Sequence, residues 1–365
     1  MEKRKNCATL LLTGAFLLGF LIWGILKPDD AISKSERRKL AQRPELSVRT
    51  VLNGSFMEDF ESYTLDQFPM REQFRRLKAE TVLHVLHQSD NNGIYTADGY
   101  ASRLDETLDT ASVDHAAERF QTICDRYLSG TDVKLYAAVI PDKNYYLSQQ
   151  TSYPALDLDA LTARLYGAMD GVQPVELRDV LSLESYYRTD LHWRQEMLLP
   201  AAQRLAEAMG ITLTQTYTQI DADAPFYGVY CAQSALPLAP DTLSYLENDT
   251  LRACTVYDYE TGQTLPVYDP DAAEGEDPYA LFLHGSKALL TVTNPNASSG
   301  KHLVIFRDSF ASSLAPLLFE AYETVTLVDI RYLAPERLGN FLTFSDQDVL
   351  FLYSETVLNA SAAIK

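Results

Sequence analysis

The chain reads as an α/β protein whose largely parallel sheet is covered by helices on both faces and follows an N-terminal apolar helix. Three observations predict this. Continuous apolar runs, Val133–Ile140, Leu303–Phe306, Val325–Val328 and Val349–Tyr353, alternate with stretches of helical spacing; strands buried on both faces read as such runs, and parallel sheets need helices between them. Between the first run and the last three lies a stretch of short strands, from Leu213 to about Val292, which predicts an antiparallel insertion. The first residues form an uncharged run from Asn6 to Leu26.

That run has the length for a membrane span, since about 20 apolar residues cross a hydrocarbon core of roughly 30 Å. Lys3, Arg4 and Lys5 precede it and Lys27-Pro28-Asp29-Asp30 closes it, which predicts a cytoplasmic N-terminus and an extracytoplasmic remainder. The run stays bulky to its end, Ile22-Trp23-Gly24-Ile25-Leu26, and lacks the small residues of a signal-peptidase site. The expected organisation is a cytoplasmic tip and transmembrane signal anchor over residues 1–27, a juxtamembrane linker over 28–54, and an ectodomain over 55–365. The linker carries the basic stretch Ser33-Lys34-Ser35-Glu36-Arg37-Arg38-Lys39.

Within the ectodomain, helical spacing runs from about Ser55 to Leu86 with a break at Pro69. Asn91-Asn92-Gly93 and Asp98-Gly99 are turns around a short strand at Ile94-Tyr95. Val113, Ala116, Ala117, Phe120, Ile123, Cys124 and Tyr127 line one helical face, stopped by Gly130. A strand follows to Ile140, ended by Pro141-Asp142, then a helix near Leu158–Met169. A further helix ends at Met209 before Gly210, with Pro200 marking its start or a kink. In the insertion, Glu260-Thr261-Gly262-Gln263 is a hairpin turn and Asp269–Asp277 an acidic loop. After the strand at Leu303 a helix is expected from Phe310 to Tyr322.

A formal net charge of -19 excludes duplex nucleic acid as a partner, because no basic face exists to neutralise phosphates. Four cysteines without C-x-x-C spacing give no metal-like pattern; Cys231 and Cys254 could pair in an oxidising compartment or remain buried thiols. No metal site and no cofactor are expected.

Two segments carry chemistry. Asp190-Leu191-His192-Trp193 places an acid two residues before a histidine, on one side of the chain if the segment is extended. Arg307-Asp308-Ser309-Phe310 places a serine at the carboxyl end of an apolar strand, before a helix, where ligands of open parallel sheets collect and free N–H groups suit an oxyanion. A serine nucleophile needs a base, and the base an acid that holds its tautomer. Taken alone, Ser309 or Asp308 also fits a helix cap.

The stretch Tyr186-Tyr187-Arg188-Thr189-Asp190-Leu191-His192-Trp193 resembles the signature of the bacterial DHHW family, related to the alginate O-acetylation proteins AlgJ and AlgX, which have an SGNH-hydrolase-like domain. Further matches occur in order across most of the ectodomain: Phe60–Arg71, Gly93-Ile94-Tyr95, Asp98-Gly99-Tyr100, Ile140-Pro141-Asp142-Lys143, Phe226-Tyr227-Gly228, Arg307–Phe310 and Asp329-Ile330-Arg331-Tyr332. The resemblance implies a three-layer SGNH-hydrolase-like (flavodoxin-like) fold with Ser309 as nucleophile, His192 as base and Asp190 as orienting acid, in a permuted chain order. Arg331 and Tyr187 are candidates to line the substrate site. It further implies a membrane-anchored O-acyltransferase or esterase acting on a cell-surface polysaccharide, with a membrane-bound O-acyltransferase as a partner that supplies acyl groups. The alternative is a non-catalytic polysaccharide-binding or envelope-assembly protein of the same fold. Two positions depart from the family pattern: Leu191 replaces the first histidine of the family's name, and Arg307 stands where many such enzymes have glycine.

Overall fold

The structure is a computed structural model that describes all residues except Met1, Lys34 and Arg37; those two positions of the basic linker lie outside the described residues. The chain divides into two compact units, residues 1–92 with 231–237, and residues 93–230 with 238–365.

In the first unit one helix, Glu2–Leu26, is long and apolar enough to cross a membrane, and its side chains are unburied. Phe20 stacks on Phe68 with ring centroids 5.5 Å apart and meets Phe74 edge-on. The expected break at Pro69 separates the helices Ser55–Asp66 and Arg71–Glu80. Asp66 accepts two hydrogen bonds from Arg38, at 2.8 and 2.6 Å. That pairing holds its carboxyl down at about 2.

The second unit is a mixed α/β body built on an eight-stranded sheet. Its strands are β1 (Lys134–Ile140), β2 (Gln173–Pro174), β3 (Thr255–Asp258), β4 (Gln263–Leu265), β5 (Leu289–Thr293), β6 (His302–Arg307), β7 (Thr324–Val328) and β8 (Asp348–Ser354). Their spatial order is β4-β3-β5-β7-β6-β8-β1-β2. The five strands from β7 to β2 are parallel, and β5, β3 and β4 extend one edge antiparallel. Every residue of β8 is buried, as expected of a central strand with both faces covered. One core lies on each face, one around Ile305, Leu327, Leu350 and Leu352, the other around Val304, Phe306, Val349 and Phe351; the alternation is the period of the strand itself.

The insertion is antiparallel, but it is not one block. Thr218–Phe226 and Asp241–Glu247 form a separate ribbon, while its later strands join the main sheet. The helix expected from Phe310 to Tyr322 is α-helical only over Ala311–Leu314 and continues as a 3₁₀ helix over Ala315–Ala321. Pro316 accounts for the change, since its missing N–H and its ring interrupt i→i−4 bonding. Pro200, by contrast, sits in the first turn of Leu199–Met209, where no partner is lost. Among the described residues no disulfide joins Cys231 to Cys254, and Cys254 is a buried thiol pushed up to about 11 by burial.

Candidate active site

Ser309 follows β6 directly, at the carboxyl end of a strand flanked by β7 and β8. The turn is pinned by its neighbour. Asp308, fully buried, accepts from Phe310 N at 3.0 Å and from both Ser354 N and Ser354 Oγ at 2.7 Å. Neither Asp308 nor Ser309 caps the helix Ala311–Leu314, which has no side-chain cap bond; Asp308 closes an aspartate turn on Phe310 N, and Ser309 is partly exposed. Arg307 points into the protein, fully buried, with NH1 donating to Ser312 Oγ at 2.9 Å. Burial lowers the pKa of its guanidinium, and the carboxylates Asp329 and Asp308 oppose that shift.

The acid and the base arrive on a loop closed by an antiparallel bridge between Tyr186 and Trp193. Tyr187 N donates to His192 O at 3.1 Å, and Arg194 N to Ser185 O at 2.8 Å. Between these closures the chain bends instead of extending. Asp190 and His192 meet because Asp190 Oδ1 accepts from His192 N at 3.0 Å and lies 2.7 Å from His192 Nδ1. An aspartate that binds its own backbone two residues on replaces the strand alternation expected from the sequence. Asp190 Oδ2 accepts from Val229 N at 2.9 Å, so both oxygens of this fully buried carboxyl are engaged.

His192 Nε2 lies 2.8 Å from Ser309 Oγ. An ionised carboxylate only accepts, so the Nδ1 facing Asp190 carries the proton and Nε2 is left to accept from the serine hydroxyl. The Tyr279 ring stacks on the imidazole, centroids 3.8 Å apart and planes 11° from parallel, with Tyr279 OH 2.8 Å from Ser313 Oγ. Trp193 Nε1 donates to Phe310 O and Ser313 Oγ, both at 2.9 Å, tying the loop to the serine turn. Asp190 and His192 are thus brought into one hydrogen-bonded line with Ser309, which lies 117 positions beyond the histidine.

What holds the loop comes from further away. Lys143, fully buried, donates from Nζ to Tyr187 O at 2.8 Å, Asp190 O at 2.6 Å and Arg188 O at 3.3 Å. Asp241 accepts from Arg188 N, Thr189 N and Thr189 Oγ1 at 3.0, 2.8 and 2.6 Å. Gly228 lies against the loop so closely that a Cβ there would be 2.3 Å from Thr189 O and 2.4 Å from Asp190 Cα. Lys143 and Gly228 stand within the family-like segments of the sequence, whereas no spacing or motif marks Asp241 or Tyr279.

The other two candidates lie differently. Tyr187 is fully buried, its ring edge-on to Phe226 and its hydroxyl without a hydrogen-bond partner among the described residues. Arg331 forms a two-pronged pair with Asp329, Nε to Oδ1 at 2.9 Å and NH2 to Oδ2 at 2.6 Å.

No protein-family model and no curated protein matches the chain. Solved structures do. A DHHW family protein from Eubacterium siraeum is 23% identical, with 75% of this chain and 94% of that one covered and a TM-score of 0.61. Bacillus cereus PatB1, solved with a sulfonyl adduct, is 18% identical over 73% of this chain and 95% of that one, with a TM-score of 0.57. The O-acetyltransferase domain of Pseudomonas putida AlgJ is 16% identical over 73% and 92%, with a TM-score of 0.45, too distant to argue from. The first two share this chain's fold, and the relatives expected from the Tyr186–Trp193 signature are among the structures found.

Proposed function

We propose that the protein is a membrane-anchored, extracytoplasmic serine O-acyltransferase or esterase that acts on a cell-surface polysaccharide. The observation that carries the reading is the line from Asp190 through His192 to Ser309, with contacts of 2.7 and 2.8 Å. In the proposed first step His192 Nε2 takes the Ser309 proton as Oγ attacks an acyl carbonyl. The imidazolium then returns that proton to the leaving alcohol, which departs as the acyl-serine forms. A sugar hydroxyl, or water, then attacks the acyl-serine, losing its proton to His192, which passes it to the departing Ser309 Oγ and so restores the resting serine and neutral imidazole. Asp190 holds the Nδ1 tautomer and stabilises the imidazolium. The buried carboxyl and the Tyr279 ring restrict the imidazole to one orientation, which favours proton transfer to a single neighbour.

The helix Glu2–Leu26 supports the anchoring part of the reading, its apolar surface being unburied by protein. A membrane-bound O-acyltransferase as acyl donor rests on the family resemblance alone. Ser309→Ala in the full chain, purified in detergent, tests the reading with p-nitrophenyl acetate as donor. The proposal expects turnover to fall by about a thousandfold or more. Equal turnover by wild type and variant would turn it toward the non-catalytic binding protein.

A further inference from the structure

The second unit contains a groove of about 600 Å³ that the proposed chemistry does not use. It lies among the segments that follow β1 and β2, at the same carboxyl edge of the sheet as Ser309. Adjacent strands are about 4.8 Å apart, and β1 and β2 lie two and three steps from β6 in the sheet, so their carboxyl ends stand on the order of 10–15 Å from that of β6. One wall is the turn Leu183–Ser185, which leads straight into the loop carrying Asp190 and His192. The lining also includes Tyr146, whose ring meets Tyr186 of that loop at 5.9 Å.

The lining has a definite chemistry. Tyr145 is half-buried, with the Arg178 guanidinium 6.0 Å from its ring centroid and the Tyr146 ring perpendicular to it, and the consecutive residues Gln149 and Gln150 are exposed. An aromatic ring and two exposed amides, each amide offering both a donor and an acceptor, suit the apolar ring faces and vicinal hydroxyls of a saccharide. The charges decide which saccharide. Arg178 is already paired with Glu176 and Asp159, and Asp179 with Arg204. Asp98 and Glu184 are exposed and have no ion pair among the described residues. The groove is therefore net negative, within a chain of net charge -19, and repels a polyanion.

We infer that this groove is an acceptor subsite for a neutral or N-acetylated glycan and not for a uronate polymer. The inference rests on the acyl-transfer reading for its connection to Ser309, and the groove itself can be tested apart from it. A glycan strand seated there runs along the sheet edge toward the serine, so that binding energy gained far from the reacting hydroxyl positions it.

The full chain in a sugar-free detergent is titrated with chitotetraose, cellotetraose and tetramannuronate, and binding is read by calorimetry. A neutral tetramer is expected to bind, and the uronate to bind at least about tenfold more weakly. Tyr145→Ala, and separately the pair Gln149→Ala with Gln150→Ala, are expected to weaken neutral binding about tenfold. Neither change should alter p-nitrophenyl acetate turnover, because both lie outside the hydrogen-bonded line to Ser309. The exposed glutamines guard against a folding defect in the tyrosine variant. Uronate binding as tight as neutral binding, binding of neither neutral tetramer, or unchanged affinity in both variants overturns the inference. Glycan binding that responds to the variants in a protein without esterase turnover would keep the groove and sink the acyl-transfer reading instead.

Discussion

The serine turn and the acid–base loop reach the same point by opposite means. Ser309 is positioned by the sheet: β6 has parallel neighbours on both sides, and Asp308 fastens the turn to Ser354 of β8. The Asp190–His192 loop has no such ladder. Its backbone is held by Lys143 at the start of the helix after β1, by Asp241 from the separate ribbon, and by the close approach of Gly228. Regular backbone pairing repeats along a strand and is cooperative, whereas the loop rests on a few individual contacts. The loop should therefore be the fragile partner.

The comparison is broken hardest at Lys143. Lys143→Met removes the donor to the buried carbonyls of Tyr187 and Asp190, and leaving buried acceptors unsatisfied costs about 3 kcal/mol. Chemical denaturation should show this loss, and turnover should fall with it even where the protein is still folded. Gly228→Ala comes next. The added Cβ must displace Asp190 or Thr189, at about 2 kcal/mol of overpacking, with a larger proportional effect on kcat than on stability. Asp308→Ala probes the other side and should cost about 1–2 kcal/mol through lost hydrogen bonds. If Asp308→Ala harms turnover more than Gly228→Ala does, the assignment of fragility to the loop is reversed.

The smallest effect concerns pH. Glu355 follows β8 and is nearly buried; burial first, and the neighbouring Asp142 carboxylate second, push its carboxyl well above the ordinary value. Between its unfolded and folded pKa values the native state keeps the proton and the unfolded state has lost it. The unfolded chain then binds fewer protons, so this contribution to stability is full below about 4.5 and declines as pH rises toward the folded value. Denaturation midpoints from pH 4 to 8 should fall less steeply in Glu355→Gln, which cannot ionise. An unchanged slope would assign the pH dependence to other groups.

The same contrast explains what could be read from sequence. The parallel strands were legible because burial on both faces leaves continuous apolar runs, and the chain order of Asp190, His192 and Ser309 was visible as short motifs. Local geometry was less so. The acid–histidine pair meets through an aspartate turn and not through strand alternation, and Pro316 shortens the helix after Ser309. Tyr279 and Asp241 were out of reach, because stacking on an imidazole or capping a distant backbone leaves no spacing signal. Gly228 and Lys143 did stand in noted segments, but only the three-dimensional approach of those segments to Asp190 gives them a purpose.

The central claim is that Ser309 is a nucleophile activated by His192, and covalent labelling tests it most directly. The full chain is treated with phenylmethylsulfonyl fluoride and the labelled peptide is located by mass spectrometry, alongside His192→Ala. A single sulfonyl group on Ser309, formed with loss of fluoride and slowed by about a hundredfold or more in the histidine variant, is the predicted result. Labelling at another residue, or labelling of Ser309 at the same rate without His192, would contradict it.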